Sequence, residues 1–316
     1  MGALDAATKK YVDNPNRFAD VFNYAIYDGE QVVDATSLRP LDTAVATSTK
    51  GKSRFVERHR DGLKLWKAMA DGHAAYALLG IERQTDVNLA MPARCMLYDA
   101  LAYSDQVNRL KHENRKQGNL DSRSFISGLR PNDRLLPVAT LVVHFGSDEW
   151  DGATNLHAML SKCDKRLLAF VADYRINLVS PASMDAEDFA KFKTDFGLVL
   201  GYIKYAHDKD NLQRFVLGND RFHSVDTESA GLINLLTDSQ LEIAPGEERV
   251  DMCKAIEDMR AEARDDGLRL GLERGLERGV LGTLRDLVRD GVLSLADAAG
   301  RAGLTPEDFQ AKVSAL

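Results

Sequence analysis

The chain has 316 residues, 44% hydrophobic and 28% charged, with a formal net charge of −7. That length and apolar content suffice for one large domain with appendages or two modest ones, while the negative balance argues against broad electrostatic capture of nucleic acid and confines any DNA groove to a local basic surface. Cys95, Cys163 and Cys253 are odd in number and widely scattered, which excludes a disulfide framework or a Cys-x-x-Cys pair within the chain and fits a reducing cytoplasm. No stretch approaches the roughly 18 apolar residues that span a bilayer, the opening MGALDAATKKYVDNPNRF is too charged for a signal peptide, and Ala6 breaks the myristoylation pattern.

In chain order, the first strong signal is a helix that Asn14 can cap and Pro15 can start, with Phe18, Val21, Phe22 and Ala25 at helical spacing and Asp28-Gly29 at its end. The segment from Val32 to Val45 is weaker, with a strand around Leu41–Ala46, and STKGKSRFVERHR reads as a basic, loop-like entry. Then DGLKLWKAM (61–69) alternates apolar and polar, and AAYALLGIERQ (74–84) is nearly continuous apolar. Asp71-Gly72 between them predicts a tight hairpin, because both central residues of a type I′ turn need positive φ.

A symmetric turn there sets residue 70 against 73 and Asp61 against Glu82. Like charges directly opposed on antiparallel strands destabilise the sheet unless a positive group lies between them, and a divalent cation fills that role. Side chains alternate, so Gln84 shares a face with Glu82 while Arg83 points away, and one face of the hairpin's open end offers Asp61, Glu82 and Gln84 together.

Pro92 then opens a helix of about twenty residues on which Met91, Cys95, Tyr98, Ala102 and Gln106 fall at helical spacing, and Arg94 and Tyr98 share a face. LPVATLVVHFG (136–146) reads as a buried strand and DYRINLVS (173–180) as a second short one; 185–237 is mostly helical. Pro245-Gly246 marks a domain boundary. Beyond it Gly267, Gly271, Gly275 and Gly279 recur every four residues beside Leu268, Leu272, Leu276 and Val280. Each glycine weakens a solitary helix by roughly 1 kcal/mol relative to alanine, so the stripe calls either for close helix–helix approach, an oligomerisation helix over 250–282, or for a frayed connector. The interleaved charges exclude the membrane form of such a repeat. The end reads as two short helices with a turn at Gly303 and a Thr305-Pro306-Glu307 cap; its second helix carries Glu307 and Asp308 and only Lys312, which suits packing better than a DNA groove.

With Asp61, then Glu82-Arg83-Gln84, then Met91-Pro92-Ala93-Arg94 and Tyr98-Asp99, the chain resembles the recombination-promoting nuclease (Rpn) and transposase-like branch of the PD-(D/E)XK superfamily. FADVFNYAIYDGEQVV, LRPLDT, EWDGATNLHAML and the glycine-spaced tail extend the resemblance over most of the chain. It implies an α/β nuclease core, a mixed central sheet flanked by helices, over 1–245, followed by a helical arm over 246–282 and a small helical segment over 283–316. It also implies metal-dependent DNA cleavage. Asp61 matches the family aspartate and Glu82 the acidic residue of the (D/E)XK element, while Gln84 stands where lysine is usual, so the metal must carry more of the catalysis.

In that reading Asp61, Glu82 and the Arg83 backbone carbonyl hold Mg²⁺, or Mn²⁺ or Ca²⁺, and Asp42 completes the shell or a second metal site. Gln84 orients the attacking water. Arg94 and Tyr98 stand behind the site or against phosphate, with Arg94 alternatively a plain salt-bridge partner and Tyr98 a packed ring. Arg58, Arg60 and Lys52, with Lys50, Arg54, Arg109, Lys111, Arg115 and Lys116, either line a DNA groove or form a solvated face. Asp148, Glu149 and Asp151 read as a loop, the histidines lack zinc spacing, and the absence of a nucleotide-binding glycine fingerprint argues against an organic cofactor. The rival reading is a noncatalytic nuclease-fold protein that acts through its C-terminal arm.

Overall fold

The structure, a computed structural model, describes residues 3–41, 44–47, 56–59, 61–70, 73–118, 121–244 and 246–314, with the backbone alone for 44–47, 56–59, 67–70, 73–76, 122–123, 258–260 and 262–263. It divides into two units, Met1–Cys253 and Lys254–Leu316. In the first, α1 (Ala3–Asp13) and α2 (Pro15–Tyr27) lead into β1 (Leu38–Pro40), β2 (Ala44–Thr47), β3 (Val56–His59), β4 (Gly62–Ala70) and β5 (His73–Gln84). Next come α3 (Met91–Gln117), α4 (Ser122–Ser127), β6 (Val138–His144), α5 (Lys165–Leu168) and β7 (Asn177–Val179). Helices α6 (Ala186–Ala190), α7 (Phe196–Tyr205) and α8 (Lys209–Leu217) precede β8 (Val225–Asp226), α9 (Thr227–Thr237) and β9 (Arg249–Val250).

The central sheet has the order β1-β4-β5-β6-β7. Its β1, β4 and β5 pair antiparallel, whereas β5, β6 and β7 run parallel. This is a mixed five-stranded α/β sheet flanked by helices. The hairpin register sets Ala70 against His73 and Gly62 against Ile81, as the Asp-Gly signal predicts; the Asp71-Gly72 turn itself lies outside the described residues. The strand expected around Leu41–Ala46 is instead two strands: β1 adds to β4 in the main sheet and β2 pairs with β3.

Alternation along β5 divides its side chains between two helical layers. On one face, Lys64 of β4 reaches the Asp13 carbonyl at 2.8 Å and lies over the Phe18 ring, while the Arg83 guanidinium reaches Thr8 of α1. Phe145, just past β6, packs its ring against Phe196 of α7. On the other face, Met91 and Cys95 of α3 form a buried cluster with Val142 of β6 and Ile176. Asp99 of α3 accepts from Thr140 of β6 at 2.5 Å and from the Tyr174 hydroxyl at 2.6 Å. Gln106 bonds both backbone groups of Leu136 just before β6. The first turn of α3 is thereby fixed above the end of β5.

Local chemistry accounts for the entry helices. Asn14 accepts from the Asn16 and Arg17 amides, Pro15 occupies the first turn, and Asp28 closes α2 in the left-handed region at φ 52°. One buried ionic cluster joins this end of the chain to α9. Arg17 bonds Asp226 and Glu228, each at 2.7 Å, and lies over the Tyr11 ring at 3.9 Å. The Tyr11 hydroxyl pairs with Ser229 at 2.7 Å, and burial pushes that phenol far above its usual range.

The second unit is built on α10 (Met252–Arg289), α11 (Leu295–Arg301) and α12 (Pro306–Ser314). Leu281, Leu284, Ala298, Ala299 and Phe309 form its core. Gly303 turns between α11 and α12 at φ 68°, and the Thr305 hydroxyl accepts from the Asp308 amide as an N-cap. No helix among the described residues is long and apolar enough to cross a membrane.

Arg17→Met keeps the length of the side chain and removes its charge from between two carboxylates. It is expected to lower stability by about 2–4 kcal/mol in urea titrations, because a half-buried pair is left without its countercharge. A loss below about 0.5 kcal/mol would contradict the structural weight given to that cluster.

Candidate active site

Past Gly62 the ladder between β4 and β5 ends, and β5 continues alone on that side through Glu82, Arg83 and Gln84. On its other side it stays paired with β6, setting Glu82 beside Val142 and Gln84 beside His144. The Gln84 carbonyl accepts from Phe145 of that strand. Because backbone groups alternate, the Arg83 amide and carbonyl point to the side where β4 has stopped. The amide donates to Asp61 Oδ2 at 3.0 Å, and the carbonyl accepts from the Gln84 side-chain amide at 2.6 Å. Asp61 and the Gln84 side chain thus both bind the Arg83 backbone at the open end of the hairpin, next in the chain to Glu82.

The two carboxylates are served by two different guanidiniums. Glu82 has no solvent exposure and pairs with Arg94 of α3 at 3.2 Å, on the face where Val142, Met91 and Cys95 pack. Asp61 is about one-fifth exposed, and its Oδ1 lies 3.1 Å from the Arg83 guanidinium. The Arg83 side chain itself runs to the opposite layer, against Asp5 and Thr8 of α1. Sequence reasoning places Arg83 away from the Glu82 face, and there it lies. What it does not anticipate is that Asp61 turns toward that arginine. Two negative groups opposed at a strand end need positive charge, and with two arginines in reach each carboxylate takes one.

The electrostatics remain shared. Burial works to lower the Arg94 guanidinium, yet Glu82, Tyr98 and Asp61 together hold it above its ordinary value. Burial first, and then the Glu82 carboxylate, push the Tyr98 phenol up. Arg94 lies 5.6 Å from the Tyr98 ring centroid, and both line an open cleft of about 600 Å³ with Asn88, Ala90, Ala93 and Leu97. Arg94 therefore touches a buried acid on one side and an open recess on the other.

Asp42, Lys52 and Arg60 lie outside the described residues, as do Lys50 and Arg54, and of Arg58 only the backbone, in β3, is described. Two contributors escape a reading of spacing alone. Asp99 anchors α3 through Thr140 and Tyr174, although it stands within the Tyr98-Asp99 motif. The Arg83 side chain holds Asp61, and an alternating strand pattern gives no sign that a preceding loop residue will turn toward it.

No family model, no curated protein and no solved structure matches the chain.

Arg94→Leu tests the Glu82 ion pair. A buried carboxyl deprived of that countercharge favours its neutral form, so its folded pKa rises above the unfolded value of about 4.3. Stability is then retained below that pH and lost as pH rises. The deficit relative to wild type is expected to be small near pH 4 and about 3 kcal/mol near pH 7 in parallel urea titrations. A deficit that does not change with pH would show that Arg94 does not hold the Glu82 charge.

Proposed function

We propose that the chain is a divalent-metal-dependent DNA endonuclease with the PD-(D/E)XK core, acting in cytoplasmic recombination or transposition-like DNA processing as the Rpn-like motifs imply. The observation that carries this reading is the end of β5, where the Asp61 carboxylate and the Gln84 carboxamide bind the Arg83 backbone and the adjacent Glu82 carboxylate pairs with the Arg94 that lines a cleft. These are hard oxygen donors, the set that Mg²⁺ or Mn²⁺ takes, and Ca²⁺ binds the same kind of set. The fit has conditions, since a cation competes with Arg94 for Glu82, with the Arg83 guanidinium and amide for Asp61, and with the Gln84 amide for the Arg83 carbonyl.

When bound, the ion supplies a lowered pKa for an attacking water and positive charge against the scissile phosphate. The chain's own residues do the rest. Asp61 and Glu82 provide the negative charge that favours the ion, and the Arg83 carbonyl adds a neutral donor. Gln84 cannot supply the cationic charge of the usual lysine. Its amide holds the Arg83 carbonyl in place, and its carbonyl oxygen serves to orient water. Arg94, released from Glu82, faces the cleft and meets phosphate there, with Tyr98 buttressing it. By the resemblance, Lys52, Arg58 and Arg60 are assigned to phosphate contacts and Asp42 to the metal shell or a second metal site.

Purified protein with supercoiled plasmid and Mg²⁺ or Mn²⁺ is expected to nick and linearise DNA, and a chelator to stop it. Glu82→Ala is expected to lose at least about a hundredfold in rate, on the scale of removing a group that stabilises transition-state charge. Equal cleavage by wild type and Glu82→Ala would assign the activity to another site or a contaminant.

A second reading, a noncatalytic nuclease-fold protein acting through its arm, is favoured by the ion pairing itself. Each carboxylate already has a cationic partner, so the cluster is charge-balanced without a metal. In the nuclease reading the arm pairs copies of the chain; in the rival it binds another protein, for instance an active relative. Leu268, Leu272, Leu276 and Val280 of α10 are each more than half exposed. A Cβ added at Gly267, Gly271, Gly275 or Gly279 would meet nothing within 4 Å, so no described residue of the same chain requires these glycines. Close approach of a second helix supplies the reason. Light scattering is expected to give a dimer mass for wild type and a monomer for Leu272→Lys/Leu276→Lys, and a monomeric wild type would remove the pairing.

A further inference from the structure

We propose a Zn²⁺ site at His223, Asp251 and Cys253, separate in place and chemistry from the Asp61–Glu82 cluster. The three residues come from two distant stretches of chain that one short ladder joins. Val225 of β8 pairs with Val250 of β9, and Asp226 with Arg249, so the residue leading into β8 and those leaving β9 emerge at the same end. His223 ends a single-turn 3₁₀ helix, Asp220–His223, capped by Asn219 and anchored by the fully buried Phe222. Asp251 immediately precedes α10, and Cys253 lies in that helix's first turn.

Their ligand atoms, the His223 Nδ1, an Asp251 carboxylate oxygen and the Cys253 sulfur, all lie within 4.8 Å of one another. His223 Nδ1 and Asp251 Oδ2 are already 3.2 Å apart. In a tetrahedral zinc site, with bonds of about 2.0–2.3 Å, neighbouring ligand atoms stand about 3.3–3.7 Å apart. Only modest rotation of the two exposed side chains, His223 and Asp251, is needed to bring the trio to that spacing around the buried sulfur.

The donor set selects the metal class. A thiolate beside an imidazole and a carboxylate suits Zn²⁺ and disfavours Mg²⁺ and Ca²⁺, which take oxygen shells. One thiolate and one carboxylate balance the two charges of the ion, and water fills the fourth position. Binding deprotonates the Cys253 thiol, which now donates to the Val216 carbonyl at 3.5 Å, and the proton passes to solvent. The first turn of α10 favours the thiolate, because amide dipoles there stabilise negative charge. Bound zinc would clamp the turn before β8 to the junction of β9 and α10. The pattern has no zinc signature in the sequence, since twenty-seven residues separate His223 from Asp251 and one separates Asp251 from Cys253.

The test is titration of the chelator-treated full chain with Co²⁺, a spectroscopic stand-in for zinc. The expected result is one equivalent bound, with a thiolate-to-cobalt charge-transfer band and tetrahedral visible bands that one equivalent of Zn²⁺ abolishes. Cys253→Ser is expected to lose the charge-transfer band, and Cys163→Ser, at an exposed thiol, to keep it. His223→Ala changes only an exposed side chain, so folding is not at issue, and it is expected to weaken Co²⁺ binding by about tenfold or more. Absence of the band in wild type, or an unchanged titration in both Cys253→Ser and His223→Ala, would overturn the site and leave His223 and Asp251 a simple ion pair.

Discussion

The Glu82 carboxylate, at the end of a central strand and with no exposure to solvent, constrains everything around it. An ionised carboxylate taken out of water costs several kcal/mol even after relaxation, so the fold must bring positive charge to it. Arg94 does so from the first turn of α3, and that turn is held in place by the apolar contacts of Met91 and Cys95 and by the Asp99 bonds to Thr140 and Tyr174. The helix is therefore fixed to the sheet by groups whose combined effect is to aim one guanidinium. The apolar cluster beneath α3 and the candidate site thus share one support.

The same constraint explains the divided ion pairing. At the open end of the hairpin the backbone of Arg83 has left the ladder with β4 and is bound by side chains, Asp61 at the amide and Gln84 at the carbonyl. Asp61 is thereby drawn toward Arg83 while Glu82 faces α3. In this state the cluster is neutral. A cation that binds there has to compete with two arginines, and Arg94, lining the cleft, is the one free to take an anionic ligand in exchange. A nuclease and a silent scaffold would share this arrangement; they differ in whether that exchange occurs.

Features set by neighbouring residues were legible in the sequence. Asn14-Pro15 and Asp28 bounded α2, and the Asp71-Gly72 signal gave the register of β4 and β5 to the residue, because turn chemistry and side-chain alternation are local. That register, carried one step beyond the Gly62–Ile81 pair, points Asp61 at Glu82, whereas Asp61 binds Arg83 instead. Helix α1 was less legible: Asp5, Lys9, Lys10 and Asp13 break up its eleven residues, and its Tyr11 is secured through distant partners, Ser229 and Phe196. The turn of Asp61 toward Arg83 and the meeting of His223 with Cys253 were illegible for the same reason. Both depend on where separate elements dock, and no spacing rule encodes docking.

The proposed function stands on one cation drawing to itself Asp61 and Glu82, which two separate arginines now hold. Crystals grown with Mn²⁺ and measured at the manganese edge test this most directly. The expected result is an anomalous peak within coordination distance of the Asp61 and Glu82 carboxylates and the Arg83 carbonyl, with Arg94 turned into the cleft. An empty map at saturating Mn²⁺, with Arg94 still seated on Glu82, would contradict it.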